Sequence, residues 1–415
     1  MANIINKFSS ILFFLIIPNL IFGPAIPDIL LTCIGLIILY IIIVYKRFDL
    51  INNIYSYLFF IWFLYLIIRS ALSIDPYLSF TSSLFYFRFY FFALGILFLI
   101  QKDDFFKKYL FYVIIFTYLF ILTISLLQFF FENIEIPFID QYEIYKYHFH
   151  MRLKGPFADS IMGGYLIKLL PLLFISYYIS PKFMYKNYLL IFIFLLSSLV
   201  IILTGERNAI LLLFLFNILI LFNKSIDSFY KFITFALFIL VFVISVILYP
   251  ALISRIVFTI NQFNFLNTDG ILTNIYFKYF INAYFIFKEN ILFGAGPKMF
   301  RILCNDYVYL IPDSCSTHPH NIYFQLLAET GLFSFFIFLS LFIFSFYKFI
   351  RLKIDSSRKH YNIMFYSFLS IIILLFPFST ANNLFNNYVN IFYFIYLSFF
   401  INALNLQNET KTYIA

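Results

Sequence analysis

Apolar runs of 17 to 23 residues recur along the chain, separated mostly by short polar gaps. A helix needs about 20 apolar residues to cross the hydrocarbon core of a bilayer. The runs predict spans at 8–25, 27–45, 54–71, 82–100, 109–131, 160–179, 187–203, 207–223, 229–250, 331–349, 362–378 and 386–404. The expected fold is an all-α membrane protein of about 12 transmembrane helices. Five segments follow: transmembrane helices 1–5 over 1–131, an outer loop over 132–159, helices 6–9 over 160–250, a large outer loop over 251–330, and helices 10–12 with a tail over 331–415. The first span, with Lys7 ahead of it and Gly23-Pro24-Ala25 after it, resembles a signal peptide. The eleven spans behind it favour a first transmembrane helix.

Composition supports a lipid solvent. Of 415 residues, 63% are hydrophobic and 11% charged, with a mean hydropathy of +0.95. Soluble domains carry about 25% charged residues. Sixty-five Phe and 34 Tyr against 11 Gly raise hydropathy everywhere, so run length and punctuation weigh more than averages.

The net charge of +9 would suggest a nucleic-acid partner if it were clustered on one face. Instead it sits in alternate gaps: Lys46-Arg47, Lys102 to Lys108, Lys182 with Lys186, Lys224 with Lys231, and 347–360. The intervening turns at 25–27, 70–81 and 379–385 hold no Lys or Arg. Basic loops stay in the cytoplasm, so both termini are expected there and no nucleic-acid partner is expected. Cys33 lies in a span. Cys304 and Cys315 share an outer loop, where a bridge and two unpaired thiols both stay open.

The segments 132–159 and 251–330 are too long and too polar to be plain connections, and both fall on the outer side. The second is rich in Phe, Tyr, Ile and Leu, and Asn274 to Asn290 reads as an amphipathic helix at the membrane surface, over a cavity. Three cations, Arg88, Lys168 and Arg207, lie near the same face and suit an anionic lipid-linked ligand. For Arg88, snorkelling or pairing with a carboxylate is the favoured reading, and Glu206 stands beside Arg207 as a candidate partner.

Three motifs occupy that face: Arg152-Leu153-Lys154-Gly155-Pro156-Phe157-Ala158-Asp159 with Gly163-Gly164; Leu203-Thr204-Gly205-Glu206-Arg207-Asn208; and His318-Pro319-His320-Asn321 running to Gly331. With the spans and the long outer loop, they resemble the O-antigen ligase and polymerase family of bacterial membrane glycosyltransferases. The architecture agrees over most of the chain, and the residues agree between about 150 and 335. His320, Asn321 and Gly331 match the family spacing of a His, a small amide or hydroxyl residue, nine residues and a Gly.

The resemblance implies that His320 is the catalytic base and that Arg207 holds a lipid-linked pyrophosphate. A neutral imidazole suits removal of a hydroxyl proton near pH 7. A guanidinium suits bidentate phosphate binding. Arg152, His318, Asn321, Lys278 and Glu206 are further candidates for substrate binding. Pro319 is expected in a first helical turn capped by Ser316 or Thr317, with His320 at the start of the helix leading into the tenth span. Many relatives carry an arginine about eighteen residues before Gly294-Ala295-Gly296. Here Tyr276 stands near that place, and Lys278, Arg255 and Arg301 are the cations at hand.

The resemblance implies a glycosyltransferase in the bacterial inner membrane, with its active site facing the periplasm. The donor is an undecaprenyl-pyrophosphate-linked glycan and the acceptor a lipid A-core or glycan hydroxyl. Membrane lipids surround it, inversion at C1 is implied, and no metal or cofactor is expected. A polymerase joining lipid-linked repeat units and a ligase acting on protein share these motifs. A transporter of lipid-linked glycan would also explain the spans and cations, but no repeat relates the two halves.

Overall fold

The structure, a computed structural model, describes residues 2–131, 153–159, 161–248, 253–254, 257, 274–351, 358–380 and 382–412. Arg152 and Arg255 therefore lie outside the described residues. Those described are mostly helical, with no strand among them. In chain order the helices are α1 (Ala2–Asn19), α2 (Ala25–Val44), α3 (Ile54–Ala71), α4 (Pro76–Ser83), α5 (Phe87–Lys102), α6 (Asp104–Phe130), α7 (Met162–Ile179), α8 (Lys186–Leu203), α9 (Arg207–Leu221) and α10 (Ser228–Leu248). They continue as α11 (Ile275–Glu289), α12 (Phe300–Leu303), α13 (Ile322–Gln325), α14 (Gly331–Ile350), α15 (Arg358–Leu374) and α16 (Asn387–Thr412).

Among the described residues, ten helical stretches are long and apolar enough to cross a membrane, with α4–α5 counted as one and α13–α14 as another. The remaining two expected spans, at 207–223 and 362–378, correspond to the shorter helices α9 and α15. The protein is thus an all-α, multi-pass membrane protein.

Helices α7 and α16 are the most enclosed spans, whereas α10 is mostly exposed. Helix α7 packs on α6, α8, α9 and α15, and α16 packs on α5 and α15. Exposed Ile29, Leu36, Leu64 and Ile68 lie on α2 and α3, the faces available to lipid. Several polar side-chain groups inside the bundle pair with one another or with carbonyls. The Tyr118 hydroxyl donates to Leu166 O at 2.9 Å, Tyr165 to Ile17 O at 2.7 Å, and Trp62 Nε1 to Ser334 Oγ at 2.5 Å.

One such bond repairs a helix. Pro171 lies inside α7, where proline disturbs the hydrogen-bond ladder. The Tyr396 hydroxyl from α16 inserts there, donating to Lys168 O and accepting from Leu172 N at 3.2 Å. A polar group freed in a membrane-spanning helix has no water to turn to, so a neighbouring helix supplies the partner.

Arg88 departs from the cationic cluster. Its guanidinium holds Asp28 of α2 with Nε and Nη2, at 2.9 to 3.1 Å. It is satisfied within the helical bundle by a carboxylate, the pairing favoured for it.

Candidate functional site

The His motif begins in a strained turn. His320 has a φ of 57°, a left-handed conformation that costs a side-chain-bearing residue about 1 kcal/mol. It therefore cannot lie in a helical turn. Asn321 behind it is the cap of α13, its Oδ1 accepting from Tyr323 N at 2.9 Å and Phe324 N at 3.3 Å. The expected caps, Ser316 and Thr317, instead face the histidines, and Pro319 lies ahead of the first turn. Asn321 Nδ2 donates to Pro377 O at 2.6 Å, pinning the turn to the segment between α15 and α16. Capping explains an amide or hydroxyl residue at this position, because both types accept from helix N-terminal amides.

The far end of the motif is fixed by backbone contact. Leu326–Thr330 is a π-helical turn, and Gly331 follows with φ 67° and ψ −175°. The wide turn leaves Ala328 O and Glu329 O to accept from Ala295 N and Gly296 N, at 2.9 and 2.8 Å. Leu332 N and Phe333 N donate back to Ile291 O and Leu292 O. A Cβ on Gly331 would lie 2.4 Å from Leu292 O, and one on Gly294 would lie 2.4 Å from Thr330 N. The Gly-Ala-Gly stretch and the His motif thus form one interlocked backbone unit. From α3, Arg69 Nε binds Gly294 O at 2.7 Å, and the Tyr65 hydroxyl lies 2.6 Å from Phe293 O and 2.7 Å from Thr330 O.

The amphipathic helix expected over Asn274 to Asn290 is α11, capped by Asn274 Oδ1 on Tyr276 N at 3.0 Å. It buries Tyr279, Asn282, Ala283 and Ile286, a helical stripe, against Met299, Phe300, Cys304 and Ala328. Tyr279 stacks on His320 with ring centres 5.3 Å apart, and Tyr276 meets it edge-on at 5.7 Å. Cys304 and Cys315 are bridged, with their Cα atoms 5.0 Å apart. Asn282 Nδ2 lies within hydrogen-bond distance of Cys304 O and Ser314 O at both ends of the bridged loop.

These supports set the imidazole tautomer. His320 Nδ1 lies 3.3 Å from Thr380 O, and Nε2 lies 3.3 Å from Ser316 Oγ. A carbonyl only accepts, so Nδ1 carries the proton and Nε2 presents a lone pair. Burial lowers the imidazole pKa from its usual range, opposed by the Thr380 carbonyl. The His318 ring sits 4.1 Å from that of His320. Burial, together with repulsion from the neighbouring His320 and Arg301, takes its pKa down to about 3. Both rings are neutral at pH 7, and His320 is poised as a base.

Two of the cations the sequence offered, Lys278 and Arg301, lie among the described residues. Lys278 on α11 pairs with Asp313 at 3.5 Å. Arg301, on α12, acts electrostatically on His318 and on buried Glu329, and its Nε is buried with no hydrogen-bond partner. Lys298 donates to Thr81 Oγ1 at 3.1 Å, and burial and Arg301 lower its pKa. Glu329 is held by Phe300 N at 3.2 Å and Gln325 Nε2 at 3.1 Å.

The first and second motifs dock on each other. Gly205, with φ 63°, turns the chain from α8 into α9, which begins at Arg207. The Glu206 carboxylate crosses to the first turn of α7, accepting from Gly163 N at 2.8 Å and Gly164 N at 3.0 Å. A Cβ on Gly163 would lie 2.8 Å from Thr204 Oγ1, so the glycines permit the approach. A carboxylate suits the positive end of a helix, so Glu206 fixes α7 against the Arg207 turn. Arg207 itself is exposed at that turn. Gly155 N donates to Gln128 Oε1 at 2.8 Å, and Phe157 is buried against Tyr165, tying the end of the first motif to α6 and α7.

A segment that sequence reading passed over joins the two halves. Besides Thr380 and Pro377, it provides Asn383, whose Oδ1 accepts from Gln325 Nε2 at 2.9 Å, and Leu384 N, which donates to Gln325 Oε1 at 2.8 Å. It leads into Tyr388, whose ring lies 5.9 Å from Lys168 Nζ and which feels the charge of Glu206. The polar run Ser379-Thr380-Ala381-Asn382-Asn383 in an apolar stretch was its visible signal.

The site is thus a half-buried His at one end of a multi-pass helical bundle, with Arg301 in electrostatic reach of the neighbouring His318. Residues 192–339 match the family described as O-Antigen ligase. That stretch holds the Arg207 turn, the Gly-Ala-Gly unit and the whole His motif, so the match falls on the site described above. No curated protein matches the chain.

Proposed function

We propose that this protein moves a glycan from undecaprenyl pyrophosphate to an acceptor hydroxyl of the lipid A-core type, at the periplasmic face of the inner membrane. The observation that carries the reading is the His320 tautomer: Nδ1–H on the Thr380 carbonyl, and an Nε2 lone pair that only the Ser316 hydroxyl meets among the described residues, where an acceptor hydroxyl could take its place. In the reaction, the acceptor oxygen attacks the sugar C1 and its proton passes to His320 Nε2. The bond from C1 to the pyrophosphate oxygen breaks, and undecaprenyl pyrophosphate leaves. A single displacement inverts C1, and no metal takes part. Arg207 holds the departing pyrophosphate, where a fixed cation stabilises growing charge. Arg301 supplies a second cation from the His side, and Lys278, paired with Asp313, borders the same turn. His318 and Asn321 shape the turn that holds the base, and Glu206 positions Arg207. Arg152 contributes to donor binding from the first motif. The test is transfer of a lipid-linked glycan by the purified protein in proteoliposomes. Discharge of the donor onto lipid A-core is expected, and discharge onto a second lipid-linked repeat would make the protein a polymerase instead. Failure of both, with lipid-linked glycan crossing the bilayer intact, would replace the reading with transport.

A further inference from the structure

The opposite end of the bundle holds a cationic cavity. Helix α3 runs from the site end, where Arg69 binds Gly294, back to Ile54. Helix α14 leaves the site end at Gly331 and reaches Lys348 and Arg351 in and just past its last turn. Its twenty residues span about 30 Å, the thickness of a bilayer core. Where these helix ends meet α16 there is a cavity of about 410 Å³, lined by Lys348, Arg351, Asn52, Asn53, Asn405 and Tyr55 among others.

Its charge is one-sided. Lys348 in the last turn of α14 and Arg351 at its cap are three residues apart, a spacing at which like charges repel. Among the described residues, no carboxylate lines the cavity. Neither cation is in an ion pair among the described residues; Lys348 lies over the Phe344 ring at 5.2 Å and Arg351 over Tyr347 at 4.9 Å. By contrast, Arg47 at the same end is held bidentately by Asp49. The start of α3, capped by Asn53 Oδ1 on Ser56 N at 3.0 Å, adds the positive end of a helix dipole. The polar rim lies above an apolar floor that includes Phe344, Ile401 and Leu404.

Two cations unpaired among the described residues, amide groups and an apolar floor at one bilayer-thickness from the His motif fit an amphiphile with an anionic head. We infer that this cavity binds a phosphate-bearing anion, supplied by the headgroup of an acidic phospholipid in the leaflet opposite the catalytic site. The headgroup phosphate lies between Lys348 and Arg351, and the first acyl carbons rest on Ile401 and Leu404. Basic pockets between transmembrane helices are a recognised mode of acidic-lipid capture.

The test is thermal unfolding and native mass spectrometry of the detergent-purified protein. Short-chain phosphatidylglycerol, short-chain phosphatidylcholine and inorganic phosphate are titrated separately. Phosphatidylglycerol is expected to raise the midpoint and remain as a mass adduct, while phosphatidylcholine does neither. In the Lys348→Gln, Arg351→Gln double variant its affinity should fall on the order of thirtyfold. The charge-retaining Lys348→Arg, Arg351→Lys variant should keep most of it, which separates ligand loss from misfolding. Equal stabilisation by inorganic phosphate, lost in the double variant, would assign the same cations to a soluble phosphate compound and overturn the lipid assignment. No response to either anion, or an equal response in the double variant, would overturn the site.

Discussion

Asn321 joins three elements with one side chain, so its substitutions separate three effects. Its Oδ1 caps α13 through Tyr323 N and Phe324 N, and its Nδ2 donates to Pro377 O at 2.6 Å. Loss of a helix cap costs about 1 kcal/mol. Loss of a buried side-chain hydrogen bond costs about 1 kcal/mol more, rising when the remaining partner is left without a donor. Asn321→Ala should therefore destabilise the protein by about 2–3 kcal/mol. Asn321→Ser keeps an accepting oxygen for the cap and loses the reach to Pro377, so it should cost roughly half as much. Asn321→Asp keeps the cap but sets a carboxylate oxygen against the Pro377 carbonyl, so it should fall below Ser despite its closer shape. Thermal unfolding in detergent gives the order wild type, Ser, then Asp and Ala. Glycan transfer should follow the same order, because the Pro377 anchor aligns the segment whose Thr380 carbonyl orients His320. Wild-type stability in Asn321→Ala, or Asp ranking above Ser, would refute this reasoning.

Other substitutions probe separate parts. Gly331→Ala adds a Cβ 2.4 Å from Leu292 O at a positive φ, and should cost at least about 3 kcal/mol in thermal unfolding, since neither backbone can yield cheaply. His318 has a folded pKa near 3, below its unfolded value of about 6.5. Below about 6.5 the unfolded state binds the extra proton, so stability is full above that pH and declines as pH falls toward 3. His318→Gln should flatten that decline in unfolding midpoints measured from pH 7 to pH 4. Replacing Cys304 and Cys315 with Ser should remove about 2–3 kcal/mol of loop constraint, and non-reducing peptide mapping of the wild type should recover the linked pair. Asp28→Asn leaves Arg88 without its counter-charge and should be more harmful than the paired Asp28→Leu, Arg88→Leu variant, as read by yield and thermal midpoint.

Much of this arrangement was visible in the chain. Runs of apolar residues marked the spans because membrane helices satisfy their own backbones, so length and composition suffice. The α11 stripe and the Gly205 turn were also local properties. The partners of the functional residues were not. Asp28 lies sixty residues from Arg88 and Thr380 lies sixty from His320, and no periodicity links such positions. The helix cap was misplaced from Asn321 to Ser316 or Thr317 because His320, at positive φ, ends the preceding turn one residue before the helix begins. Position in the chain left Lys278, Arg255 and Arg301 as alternatives, and folding brings Arg301 from beyond the Gly-Ala-Gly unit into the electrostatic reach of His318.

The base assignment is tested most directly by single-turnover transfer from a labelled undecaprenyl-pyrophosphate-linked glycan by wild type and His320→Ala, with donor binding measured in parallel. Loss of transfer by about 10²-fold or more, with donor binding retained, is expected for removal of a general base. Full transfer by His320→Ala would contradict a catalytic role for His320.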